Sequence, residues 1–144
     1  MESSTCFNLT YALRGLSQTV FAAAIVVALA AGLGISMAPS AWAKTVEVKM
    51  TDTPPVFIPA KVTINKGDTI KWINNAQTLH TVTFDPAKAV DKSNVILPKG
   101  VAPFDSGFMM PGKDFSYTFT IPGQYKYFCI PHEKDGMIGY VTVK

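Results

Sequence analysis

The chain has 144 residues, 48% of them hydrophobic, with 13 basic and 10 acidic side chains and a formal net charge of +3. That is the length of one ordinary domain, too short for a multidomain enzyme. The positive excess is too small for a dedicated nucleic-acid binder, so no nucleic-acid partner is expected.

The first element is a leader. Thr19 to Met37 runs without a charge, and Ala41-Trp42-Ala43 follows it. An apolar core followed by A-x-A is the layout of a secretory signal peptide, with cleavage expected after Ala43. Gly32, Gly34 and Pro39 near the end of the apolar run favour cleavage over an uncleaved membrane anchor, the alternative that such a length permits. No Arg pair precedes the run, which argues against a twin-arginine signal. Residues 1–43 are thus read as a signal segment and 44–144 as one domain outside the cytoplasm, in the periplasm or an equivalent lumenal compartment. Only an uncleaved leader would tie it to a membrane.

Beyond the leader the chain reads as strands. Thr45–Thr51, Lys61–Asn65, Thr69–Ile73, Thr78–Phe84, Phe115–Ile121, Gln124–Cys129 and Met137–Val143 are short and rich in Val, Ile, Thr and aromatics. Gly, Pro and Asn punctuate them, as at Lys66-Gly67-Asp68, Asn74-Asn75 and Pro122-Gly123. Seven such segments with no helical period indicate an all-β fold, an antiparallel Greek-key sandwich or barrel of about seven or eight strands. Asp85–Gly112 breaks the pattern, carrying Pro86, Pro98, Pro103 and Pro111. A segment that long without alternation holds small elements or a function. Pro86–Val90 suits a helical turn and Asn94–Leu97 a short edge strand.

The domain has one cysteine, Cys129, and two histidines, His80 and His132. A lone thiol in an exported domain is either buried and inert, paired between chains, or occupied. Cys129-Ile130-Pro131-His132-Glu133-Lys134-Asp135-Gly136-Met137 is a C-x2-H-x4-M run between two predicted strands, and such a tight loop can turn three side chains to one point. His80, in a separate strand, can approach from the side. Two imidazoles, a thiolate and a weak thioether are the donor set of blue-copper electron-transfer centres. Zinc sites take a Cys, His or carboxylate where Met stands here. Iron–sulfur clusters need more thiolates, and no C-x-x-C-H haem attachment is present. One copper ion held by His80, Cys129, His132 and Met137 is therefore expected. With those positions filled no substrate site is left open, so an electron carrier is expected rather than an enzyme. Copper storage or delivery is the alternative; Met109-Met110 is the one Met pair that would serve it. A purely structural secreted sandwich is a third reading. Asp52, Asp68, Asp85, Asp114, Glu133 and Asp135 are scattered and read as solvated surface.

At these residues the sequence resembles the cupredoxins, and among them the plastocyanin-like blue copper proteins. The likeness runs through Phe57-Ile58-Pro59, Asn65-Lys66-Gly67-Asp68-Thr69-Ile70, Asn74-Asn75 ahead of His80, Val82-Thr83-Phe84-Asp85 and Pro122-Gly123-Gln124-Tyr125. It continues to the C-x2-H-x4-M loop and Gly139-Tyr140-Val141-Thr142-Val143. The resemblance implies Met137 as weak axial ligand. It also implies electron passage through the edge of His132, ringed by apolar residues that dock onto redox partners such as a cytochrome, oxidase or reductase. A monomer is expected. The family often has Pro and Asn flanking the first His; here they are Leu79 and Thr81, with the Thr81 hydroxyl as the replacement tie to the ligand loop. Phe128 stands where plastocyanins commonly carry Tyr. Acidic runs like those of plant plastocyanins are missing, which points to a different partner or to docking led by Leu79 and Pro131. Pseudoazurins share the loop spacing.

Overall fold

A computed structural model describes residues 42–144; the leader, apart from its last two residues, lies outside the described residues. Seven strands form two sheets. They are β1 (Thr45–Asp52), β2 (Pro55–Ile58), β3 (Lys61–Ile64), β4 (Thr69–Asn74), β5 (Asp114–Thr118), β6 (Gly123–Phe128) and β7 (Ile138–Val143). One sheet has the order β2-β1-β4-β5 and the other β3-β7-β6.

Alternation drives each strand to one face. In β1, Val48 and Met50 point inward; in β4, Ile70, Trp72 and Asn74 do; in β7, Gly139, Val141 and Val143 do. The inner faces meet over an aromatic core of Phe57, Trp72, Phe84, Phe119, Tyr125 and Tyr127. Trp72 Nε1 donates to the Tyr127 hydroxyl at 2.9 Å, so the polar atoms of two buried rings satisfy each other. That burial holds the Tyr127 phenol in its protonated form, far above the ordinary tyrosine range. Gly139 lies against the Tyr127 ring, and a Cβ there would fall inside it.

The all-β two-layer architecture agrees with the sequence. Three details differ from the expected strands. Both sheets are mixed, since β1 pairs parallel to β4 and β3 parallel to β7. Pro55–Ile58 is a strand that its prolines concealed; it lies at the sheet edge, where a missing N–H is tolerated. Thr78–Phe84, in contrast, makes only isolated bridges, His80 to Met109 and Thr83 to both Asp105 and Phe128.

The long Asp85–Gly112 segment hides two 3-10 turns, at Pro86–Lys88 and Lys92–Asn94, capped by Asp85 and Asp91. The expected edge strand reduces to a bridge between Ile96 and Lys126. Among the described residues no helix is long and apolar enough to cross a membrane.

Candidate metal centre

The site forms where three pieces of chain meet at one end of the sandwich. The first carries His80. Asn74, buried at the end of β4, organises it: Asn74 Nδ2 donates to the carbonyls of Thr78 and Met109, both at 2.8 Å, and Asn74 Oδ1 accepts from the Ala76 amide at 3.0 Å. His80 then exchanges backbone hydrogen bonds with Met109, at 3.3 Å from its own amide and 2.9 Å to its carbonyl. The imidazole ends fully buried.

The second piece is the end of β6. Phe128 and Thr83 exchange backbone hydrogen bonds at 3.0 and 3.2 Å, which puts the next residue, Cys129, beside Thr81 and His80. The third is the loop from Cys129 to Met137. Ile130–His132 is a single 3-10 turn, with His132 N donating to Cys129 O at 3.1 Å. Gly136 closes the loop with φ of 77°, a left-handed conformation that suits glycine. Cys129 N donates to Met137 O and Met137 N to His132 O, both at 3.1 Å. The loop is thereby stitched to itself.

The side chains converge accordingly. Cys129 Sγ is 3.5 Å from His80 Nδ1 and 3.6 Å from His132 Nδ1. The three donor atoms lie within 4.8 Å of one another, near enough for one ion to touch all three. The imidazole rings of His80 and His132 have centroids 4.7 Å apart. His132 is half-buried, while Cys129 and Met137 have no exposed surface. Burial pushes the Cys129 thiol up and the His80 imidazolium down, so without metal both are neutral near pH 7. Binding an ion would therefore release the thiol proton.

Hydrogen bonds fix this set from outside. The Thr81 amide donates to Cys129 Sγ at 3.3 Å, and the Thr81 hydroxyl accepts from the Ile130 amide at 2.8 Å. Thr83 Oγ1 donates to Asp105 Oδ2 at 2.7 Å and lies 2.9 Å from Thr81 Oγ1. Each hydroxyl has one hydrogen, and that of Thr83 goes to the carboxylate, so Thr81 must donate to Thr83. The result is an ordered relay from Ile130 N–H through two threonines to Asp105. The tie expected of Thr81 in place of an asparagine is present, and sequence reading missed its continuation to Asp105. Lys88 closes the relay with an ion pair to Asp105 Oδ1 at 3.1 Å.

Of the carboxylates expected on solvated surface, Asp68 and Glu133 are buried and Asp52 is only partly exposed. Asp52 reaches His80, with Oδ1 3.0 Å from Nε2. Asp68 is 6% exposed and Glu133 8%. Glu133, beside His132, accepts from the amides of Val90 and Asp91 and from Asn94 Nδ2, at 2.9 to 3.0 Å. The groups that donate to them explain the placement, because a carboxylate leaves water when N–H groups replace it. Asp114 and Asp135 are exposed as expected.

The donor set suits copper. It joins one soft sulfur to two imidazoles, and among the described residues no carboxylate is part of the converging cluster. Comparison with known proteins points to the same metal: the family described as copper binding proteins, plastocyanin/azurin family, matches residues 44–144.

The chain belongs to the plastocyanin/azurin family of copper-binding proteins. Its cofactor is copper, and His80, Cys129 and His132 are the cluster that could hold one such ion.

Among curated members of this family, the chain is 41% identical to the plastocyanin of Nostoc punctiforme over 111 residues, covering 74% of this chain and 78% of that one. It is 34% identical to the plastocyanin of Prochlorothrix hollandica, covering 83% and 88%. Among solved family structures, the pseudoazurin of Methylobacterium extorquens AM1 superposes with a TM-score of 0.55 at 27% identity, over 69% of this chain and 74% of that one. The cupredoxin fold expected from the sequence is therefore the observed one.

Proposed function

We propose that this chain is an exported type I copper protein that carries one electron at a time between larger redox proteins. His80, Cys129 and His132 hold the ion and Met137 is its weak axial ligand. Copper, when bound, supplies the Cu(I)/Cu(II) couple. The observation that carries this reading is the convergence of one buried thiol and two imidazoles, with only His132 reaching the surface.

The chain's own residues account for the rest. His80 and Cys129 are locked by backbone partners on both sides, so the donors have little freedom to move when the charge between them changes. Burial excludes water and competing ligands. Met137 is fully buried, with its backbone bonded to those of both Cys129 and His132, which favours a thioether directed at the same centre. Leu79, Pro131, Phe108 and Met110 are exposed on segments adjoining His80 and His132. Such an apolar surface suits brief docking of a redox partner such as a cytochrome, oxidase or reductase, with the His132 edge as the electron port. A monomer without enzymatic activity is part of the same proposal.

Storage or delivery of copper is less well supported. Met109 is buried and bridged to His80, so Met109-Met110 does not offer two free thioethers. Export rests on the apolar leader and on Ala41-Trp42-Ala43. A mature protein starting at Lys44, read by mass spectrometry of a secreted preparation, is the expected outcome.

The test of the electron-carrier reading is an absorption spectrum of the purified copper-loaded domain. An intense visible charge-transfer band from the Cys129–Cu(II) bond, bleached by ascorbate and restored by oxidant, is expected. A colourless protein after loading with Cu(II) would overturn the reading.

A further inference from the structure

His80 has two ring nitrogens with different neighbours. Nδ1 faces Cys129 Sγ at 3.5 Å, and Nε2 faces Asp52 Oδ1 at 3.0 Å. Asp52 closes β1, 28 residues away in sequence, and reaches the site because β1 lies beside β4. Met50 pairs with Asn74, so the end of β1 runs on past the turn that leads into His80. There the carboxylate accepts from two donors besides facing the ring. The Gln77 amide gives to Oδ2 at 2.8 Å, and the Thr78 hydroxyl shares Oδ1 with the imidazole.

Those donors keep Asp52 ionised, and an ionised carboxylate only accepts. The hydrogen between Asp52 and His80 must therefore sit on Nε2. In a neutral imidazole the other nitrogen then carries a lone pair, and that nitrogen is the one aimed at Cys129. The carboxylate also places a full negative charge against a buried ring that would touch the metal. A nearby anion favours the more positive of two oxidation states.

We propose that Asp52 is a positioning residue of the copper site: it holds His80 in the Nε2–H form that presents Nδ1 to the ion, and its charge lowers the reduction potential. The inference rests on His80 being a copper ligand. It adds that the ligand's outer nitrogen is held by an ionised side chain, which makes the residue at the end of β1 a determinant of potential.

The experiment uses the processed, folded protein at one fixed neutral pH, with Asp52→Asn and Asp52→Ala beside the wild type. In the metal-free protein, ¹⁵N imidazole shifts report the His80 tautomer. A single Nε2–H form is expected in the wild type and in Asp52→Asn, whose side-chain oxygen still accepts; a mixture is expected in Asp52→Ala. In the copper-loaded protein the potential should rise in both variants. Cu(II) affinity should fall about 10- to 100-fold in Asp52→Ala, the usual cost of removing a partner of a ligating histidine.

A wild-type potential in Asp52→Asn would overturn the electrostatic role, and a single Nε2–H form in Asp52→Ala would overturn the tautomer role. If Asp52→Ala does not fold, Asp52→Leu, equally without an acceptor and closer in volume, takes its place in the tautomer measurement, and Asp52→Asn still decides the electrostatic role through its potential. A wild type that binds no copper would sink the ligand assignment instead, while the metal-free tautomer measurement still judges the hold of Asp52 on His80.

Discussion

The two histidines of the centre are held in opposite ways. His132 sits in a loop of nine residues that closes on itself through backbone hydrogen bonds among Cys129, His132, Glu133, Gly136 and Met137. His80 is held by groups from other elements: Asn74 at the end of β4 behind it, and the remote Met109 beside it and Asp52 at its outer nitrogen. The loop is a local device and can be partly exposed. The His80 side is a fully buried, non-local one, joined to the loop by Thr81. One wall of the centre thus depends on the folded sandwich, and the other chiefly on its own turn.

Substitutions can break this division. The largest effect is expected from Cys129→Ser, which removes the one thiolate that both sides share. The visible band should vanish entirely, while circular dichroism still reports a folded β-sandwich. Residual blue colour would show that the thiolate is not the source of the band.

Thr81→Val cuts the link between the two walls. It leaves the partly buried Ile130 amide without an acceptor and interrupts the path to Asp105. A stability loss of about 1–3 kcal/mol in urea titration is expected, the usual cost of orphaning a buried donor. Thr81→Ser should recover most of it. A wild-type midpoint for Thr81→Val would mean that the tie contributes nothing.

Met137→Gln changes the loop side alone. Copper should stay bound, with colour and potential shifted, because the axial donor tunes the potential of such a centre. Loss of the metal would show that the thioether is needed for binding itself.

The smallest effect lies away from both walls. The Asp68 carboxylate accepts from the Lys44 and Asn65 amides, both at 2.8 Å, and these bonds, the Lys44 one first, hold it below the usual range. A carboxyl that ionises more readily folded than unfolded stabilises the fold above its unfolded pKa. That contribution disappears as pH falls through the lower folded value. Stability should therefore drop on acidification below about pH 4, and Asp68→Asn should flatten that slope without altering the visible band. An unchanged slope would remove Asp68 from the acid response.

The asymmetry between the walls also explains what was legible in the sequence. Cys129, His132 and Met137 stand in one short run, and a local loop can be read as a string of letters. The strands were visible wherever β-branched and aromatic residues alternate, as in Lys61–Ile64 and Ile138–Val143. Prolines masked Pro55–Ile58, because an edge strand tolerates what a central one does not. Thr78–Phe84 has strand composition but meets its neighbours, Met109, Asp105 and Phe128, only at single residues, so it bridges instead of pairing in a ladder. His80 was legible by its chemistry alone. Its partner Asp52 looked like any surface acid, since proximity across 28 residues depends on parallel register between β1 and β4. Asp105 and Glu133 were hidden for the same reason: their partners come from across the fold. The position of Asp52 after a strand rich in valine was the one available signal, and it was weak.

The grip of Glu133 on Val90, Asp91 and Asn94 has a consequence for anyone who transplants the ligand loop. Moved alone into another scaffold, the nine-residue cassette would bring a carboxylate stripped of its three donors and set right beside His132. A working transfer has to carry residues 90–94 along with it, as a second strip of chain that travels with the first.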